Sequence, residues 1–154
     1  QVDINVSELF DGVAPSLGAY EFDIAFDESV LQLNSISWGN QLDLSGLGSL
    51  RFDDASQAGL LNVYEVSFDD IATLNDFQAG DFTLLSLHFS ALAAGNSDIG
   101  LNVLSLADAE GNSLVADTVT NGNVSVVPVP AALPLLASGL LMLAGRVRRR
   151  GKMM

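Results

Sequence analysis

The chain has no cysteine, and its first 145 residues hold one basic side chain, Arg51, and one histidine, His88. The first absence excludes disulfide staples, thiolate metal sites and a cysteine nucleophile. The scarcity of lysine and arginine excludes a nucleic-acid surface, because phosphate contacts need clustered cations. A single histidine excludes the clustered imidazoles of a zinc site. No initiator methionine or charged, apolar leader precedes Gln1. If the protein is exported, its signal peptide is expected to have been removed or to lie upstream.

What is present divides into two parts of opposite charge. All nineteen acidic residues lie between Asp3 and Asp117; against them stands Arg51 alone, so residues 1–145 carry −18. Residues 146–154 carry +5, from Arg146, Arg148, Arg149, Arg150 and Lys152. The length of 154 residues accommodates one ordinary domain and an appendage.

Residues 1–127 read as all-β. Tyr20, Phe22, Ile24 and Phe26 alternate with Glu21, Asp23, Ala25 and Asp27, the period of a strand with one buried face. Leu85, Leu87, Phe89 and Ala91 repeat the pattern, and Val2, Ile4 and Val6 give a shorter one. Between Val30 and Trp38 the phase changes: Leu31 and Leu33 share one parity, Ile36 and Trp38 the other. A one-residue slip of that kind predicts a β-bulge or a strand break. Further strands are expected near 48–53, 60–68, 99–106, 113–119 and 122–127. Turn signals stand at Gly39-Asn40, Ala94-Gly95-Asn96, Glu110-Gly111-Asn112 and Asn121-Gly122-Asn123. Residues 71–78 alone look able to form a helical turn. Many short strands at this spacing predict a two-sheet sandwich.

The second part begins at Val126-Val127-Pro128-Val129-Pro130, where paired prolines favour an extended chain. No charge interrupts residues 118–145, and residues 131–145 are apolar throughout. As a helix they span about 22 Å at ~1.5 Å per residue, short of a ~30 Å hydrocarbon core. A membrane span therefore needs the preceding segment in the interface and snorkelling arginines. A globular core helix would show a polar face, which this segment lacks. Flanking cations place the tail in the cytoplasm and the acidic part outside.

A proline motif, an apolar helix and a terminal arginine cluster, in that order over residues 126–152, resemble the PEP-CTERM sorting signals of exported Gram-negative proteins. The usual motif is Val-Pro-Glu-Pro; Val127, Pro128, Val129, Pro130 and Ala131 are closer to the Val-Pro-Leu-Pro-Ala variant. The resemblance implies processing by an exosortase, with inner-membrane anchoring followed by release to the cell surface or extracellular polysaccharide matrix.

The acidic part resembles cohesin modules. The stretch from Leu17 to Leu31, with its aromatic strand, Asp27 turn and Val30-Leu31, carries the likeness, together with residues 82–89, 116–118 and 122–126. The resemblance implies a jelly-roll β-sandwich over residues 1–125, its first strand missing here; the apolar run after it is expected to add a single transmembrane helix. It also implies a dockerin-like protein or a polysaccharide as partner.

Candidate chemistry is thin. Asp27-Glu28, Asp53-Asp54 and Asp69-Asp70 are adjacent carboxylates, whereas acid–base catalysis needs two facing across a cleft in unlike environments. Solvated turns account for them, and an enzyme is not expected. His88 falls on the polar parity of its strand. Asp108, Glu110 and Asn112 around Gly111 offer the hard oxygens calcium prefers, as do Asp69, Asp70, Asp76 and Asp81 in one loop-rich stretch. The 108–112 spacing is not that of an EF-hand, and a β-turn explains it. Calcium is thus the one cofactor candidate. Trp38 with Tyr20 or Tyr64 would make a sugar-stacking platform, against which core packing is favoured, since Tyr20 has the buried parity of its strand and Trp38 continues an apolar pattern. Two Asn-X-Ser sequons, at Asn5 and Asn123, complete the inventory.

Overall fold

The computed structural model describes residues 1–9, 12 and 15–128. Eight strands and one short helix follow in the order β1 (Val2–Val6), β2 (Leu17–Ala25), β3 (Leu31–Trp38), β4 (Ser49–Asp54), β5 (Leu60–Ser67), α1 (Ile71–Phe77), β6 (Phe82–Ala91), β7 (Gly95–Asp108) and β8 (Gly122–Val126). They make a three-stranded sheet, β1-β6-β3, and a five-stranded sheet, β4-β5-β2-β7-β8, with the named pairings antiparallel.

Period-two alternation builds the core from both sheets. Leu17, Tyr20, Phe22 and Ile24 of β2 and Leu61 and Val63 of β5 meet Leu84, Leu85 and Leu87 of β6, Leu31 of β3 and Ile4 of β1. Each fully buried aliphatic side chain among them contributes roughly 1.5–3 kcal/mol. The phase change expected in β3 is a register shift between Leu33 and Ser35 against β6, which returns Ile36 and Trp38 to the inner side.

The helix is local in origin. Asp70 caps it by accepting the Thr73 backbone N–H at 2.9 Å. At its far end the buried Gln78 accepts the Leu17 N–H at 2.6 Å and donates to the carbonyls of Leu17 and Gln41. One amide side chain thereby ties α1 to the start of β2.

Two expectations are corrected. Residues 113–119 form no strand: Ser113 makes an isolated bridge to Ala107, and Leu114 donates to the Leu106 carbonyl at 2.9 Å before the chain leaves the sheet. The signals at 94–96 and 121–123 are not turns at their centres, because Gly95 and Gly122 open β7 and β8. Gly95 is there for space, since a Cβ would stand 3.0 Å from a Val30 methyl. Among the described residues no helix is long and apolar enough to cross a membrane. The span expected over 131–145, the basic residues Arg146, Arg148, Arg149, Arg150 and Lys152, and Val129, Pro130 and Ala131 of the motif lie outside the described residues.

Candidate functional site

Asp27, Asp54, Asp69 and Asp70 of the acidic pairs are engaged in holding turns, loops or a helix cap. Asp27 accepts the Ser29 N–H at 2.9 Å and its hydroxyl at 2.6 Å, and these bonds hold the carboxyl below its ordinary range. Asp54 accepts from Ser56, and Asp69 accepts the N–H groups of Leu44 and Ser45 while Asp70 caps α1. No two of these carboxylates are joined across a cleft.

The calcium candidates likewise satisfy one another. Asp108 accepts the N–H groups of Glu110 and Asn112 at 3.0 and 2.7 Å through one oxygen. Through the other it accepts the Asn112 side-chain amide at 2.9 Å, so Asn112 faces it as a donor. Glu110 turns instead toward the Asn75 amide at 3.4 Å. Among the described residues no group of three His, Cys, Asp or Glu side chains is placed to share a metal ion.

The aromatic platform is not assembled. Tyr20 is buried, its hydroxyl donating to Glu65 at 2.9 Å; burial, then the neighbouring Glu65 charge, pushes its pKa up, so it remains a donor. Trp38 packs against the core beneath the Arg51 guanidinium, 5.7 Å from its ring centre. Tyr64 lies on the outer side of β5 and stacks on Phe52 of β4, centroids 5.3 Å apart and 19° from parallel.

Beneath that stack lies a buried polar cluster that sequence reasoning missed. Glu65 is 1% exposed, and it accepts from the Ser49 hydroxyl at 2.6 Å and Arg51 Nε at 2.8 Å as well as from Tyr20. Arg51 also donates to the Gly39 carbonyl at 3.0 Å, just beyond β3. The only cation of the first 145 residues therefore neutralises the one carboxylate that is buried among the described residues and ties the two sheets together. A buried charge without such a partner is expensive.

The outer faces of the sheets differ in chemistry. On the five-stranded sheet Leu50 pairs with Val66, Phe52 with Tyr64 and Asp54 with Asn62. β2 continues these rows with Ala19, Glu21 and Asp23. The result is an apolar strip of Leu50, Phe52, Tyr64 and Val66, prolonged by the exposed Phe68, beside a polar row of Asp54, Asn62 and Asp23. Phe52 is 46% exposed and Leu50 47%. Alternation along 48–53 and 60–68 contained the signal for this strip, but a partner register was needed to align the two strands.

No protein-family model and no curated protein matches the sequence. The fold is similar to that of the OlpA cohesin from Clostridium thermocellum, solved in a type I cohesin–dockerin complex, with a TM-score of 0.60 and 13% identity over 82% of this chain and 89% of that one. It is similar to the sixth cohesin of scaffoldin B from Acetivibrio cellulolyticus, solved in complex with the Cel5 dockerin, at 0.59 and 17% over 79% and 94%. It is also similar to a non-cellulosomal cohesin from the hyperthermophilic archaeon Archaeoglobus fulgidus, at 0.57 and 19% over 84% of each chain. The chain thus has a cohesin-like, two-sheet β-sandwich fold.

Proposed function

We propose that this chain is a docking module, not an enzyme, and that the outer face of its five-stranded sheet receives a dockerin-like protein. The observation that carries the reading is the strip of exposed Leu50, Phe52 and Val66 with half-buried Tyr64, beside the carboxylates of Glu21, Asp23 and Asp54. Exposed aromatic rings held rigidly on strands are efficient interface anchors, since little side-chain entropy remains to be lost. The adjacent acids select a partner with lysine or arginine beside its apolar ridge. Several cohesins of similar fold were solved with dockerins bound, which supports the choice of partner. Calorimetric titration of dockerin modules into the protein tests the reading. Binding that Phe52→Asp weakens supports it; binding unaffected by that change, or seen with polysaccharide alone, overturns it.

Delivery is the second part of the proposal. The proline motif at 127–131, the apolar run at 131–145 and the basic tail at 146–152 fit a PEP-CTERM-type signal. An exosortase would cut near the motif after the acidic domain has crossed the inner membrane, leaving the module in the cell envelope or extracellular matrix. Removing the +5 tail would release a strongly acidic domain. Mass spectrometry of the mature C-terminus tests this: cleavage near Pro130 supports it, and Lys152 retained on surface-bound protein overturns it.

A further inference from the structure

β4 is an edge of the five-stranded sheet, so among the described residues one side of its backbone has no strand beside it. Such an edge is a template for another strand, and proteins commonly block it with charges that point toward the sheet's inner side. β4 carries two: Arg51, opposite Glu65, and Asp53, opposite Val63. Their signs are opposite and they stand two residues apart, with Phe52 between them on the outer face.

That arrangement is self-complementary in one register. If two copies of β4 pair antiparallel about Phe52, Arg51 of each faces Asp53 of the other, and the Phe52 rings meet on the two-fold axis. Moving the axis to Arg51 sets guanidinium against guanidinium; moving it to Asp53 sets carboxylate against carboxylate. Axes between residues put inner side chains opposite outer ones, which the pleat forbids. Arg51 is equipped for the extra contact. Its Nε serves Glu65 and one Nη serves Gly39, while its side chain stays 34% exposed and its guanidinium has further N–H donors. Asp53 has no ionic or hydrogen-bonding partner among the described residues.

We propose that a second copy of this chain adds to β4 in the Phe52-centred register, joining two five-stranded sheets into one. The dimer sets the two apolar strips side by side on a shared outer face, and it forms without any dockerin, so its failure leaves the docking reading standing.

The absence of cysteine makes the test direct. Residues facing each other on the axis lie ~4.5–5.5 Å apart between Cα atoms, within disulfide reach. The two copies of Leu50 lie about 14 Å apart, four steps of ~3.4 Å, and are out of reach. Full-length F52C and L50C, solubilised in mild detergent, are oxidised side by side after circular dichroism has checked their folds. Association through the C-terminal segment is common to both and cancels in the ratio. F52C should cross-link at least about tenfold faster than L50C, and adding Asp53→Arg to F52C should remove that advantage. Equal rates at positions 50 and 52, no cross-linking of F52C, or an F52C rate indifferent to Asp53→Arg each overturns the proposal.

Discussion

The two sheets bury similar aliphatic inner faces and turn very different surfaces outward. The three-stranded sheet shows hydroxyls and amides: Asp3 pairs with Ser86, Asn5 with Thr83, Ser35 with His88 and Gln32 with Ser90. These groups satisfy one another. Ser86 donates to Asp3 at 2.6 Å, Thr83 to Asn5 at 2.7 Å, and the Asn34 amide to Ser90 at 2.7 Å, while Ser37 and His88 share a bond of 3.0 Å. The five-stranded sheet shows Leu50, Phe52, Tyr64 and Val66, whose exposed apolar area only another surface can remove from water. A self-satisfied polar ladder needs no partner, whereas an uncovered apolar strip on a rigid sheet gains from one.

The largest expected effect is on what holds the faces back to back. Arg51→Met leaves the Glu65 carboxylate buried without its cation, and urea unfolding should show a loss of about 3 kcal/mol. An unchanged midpoint would mean that the cluster contributes nothing to joining the sheets. Next comes the contrast between the faces themselves. Phe52→Asp or Tyr64→Asp should weaken dockerin binding by about 2 kcal/mol, roughly thirtyfold, while Ser90→Asp on the opposite sheet should change it less than about twofold. Equal losses from both faces would end the distinction.

A smaller effect is expected where the apolar strip is positioned. Gly59, at φ +69°, stands just before β5, and a Cβ there would lie 2.7 Å from the Phe26 carbonyl. Gly59→Ala should cost roughly 1–2 kcal/mol in the same unfolding assay, and more than a substitution at the open Gly46 site. The smallest effect is that of acid. Hydrogen bonds from Gln1 and Ser86 hold Asp3 below its ordinary value of 3.8, and bonds from their own turns or cap do the same for Asp27, Asp54 and Asp70. A lowered folded-state pKa stabilises fully above the unfolded value and is lost as pH falls through the folded one. Stability from these groups should therefore be level above about pH 5, begin to decline as the pH approaches 3.8 and fall most steeply below it. A decline beginning near neutrality would point to another group.

How far these features were legible depends on their range along the chain. The buried parity of Tyr20, Phe22 and Ile24 is local, because the pleat alone sends alternate side chains to opposite faces. The bulge in β3 was visible for the same reason, as a change of phase between Leu33 and Ile36. The strand expected at 113–119 failed because alternation does not supply a partner, and Ala107 meets that segment at Ser113 alone. Glu65 reads as one more acid in an acidic chain until β4 brings Ser49 and Arg51 beside it. Phe52 and Tyr64 stand apart in sequence and become one stack only in the register that pairs them.

By itself the amino-acid order determined the division of charge, the two-residue period of the strands and the apolar run with its cationic end, all properties of neighbours along the chain. Tertiary structure alone decided which carboxylate is buried, where Arg51 goes and which outer face is left uncovered. Those outcomes depend on strand register, in which a shift of one residue exchanges inside for outside.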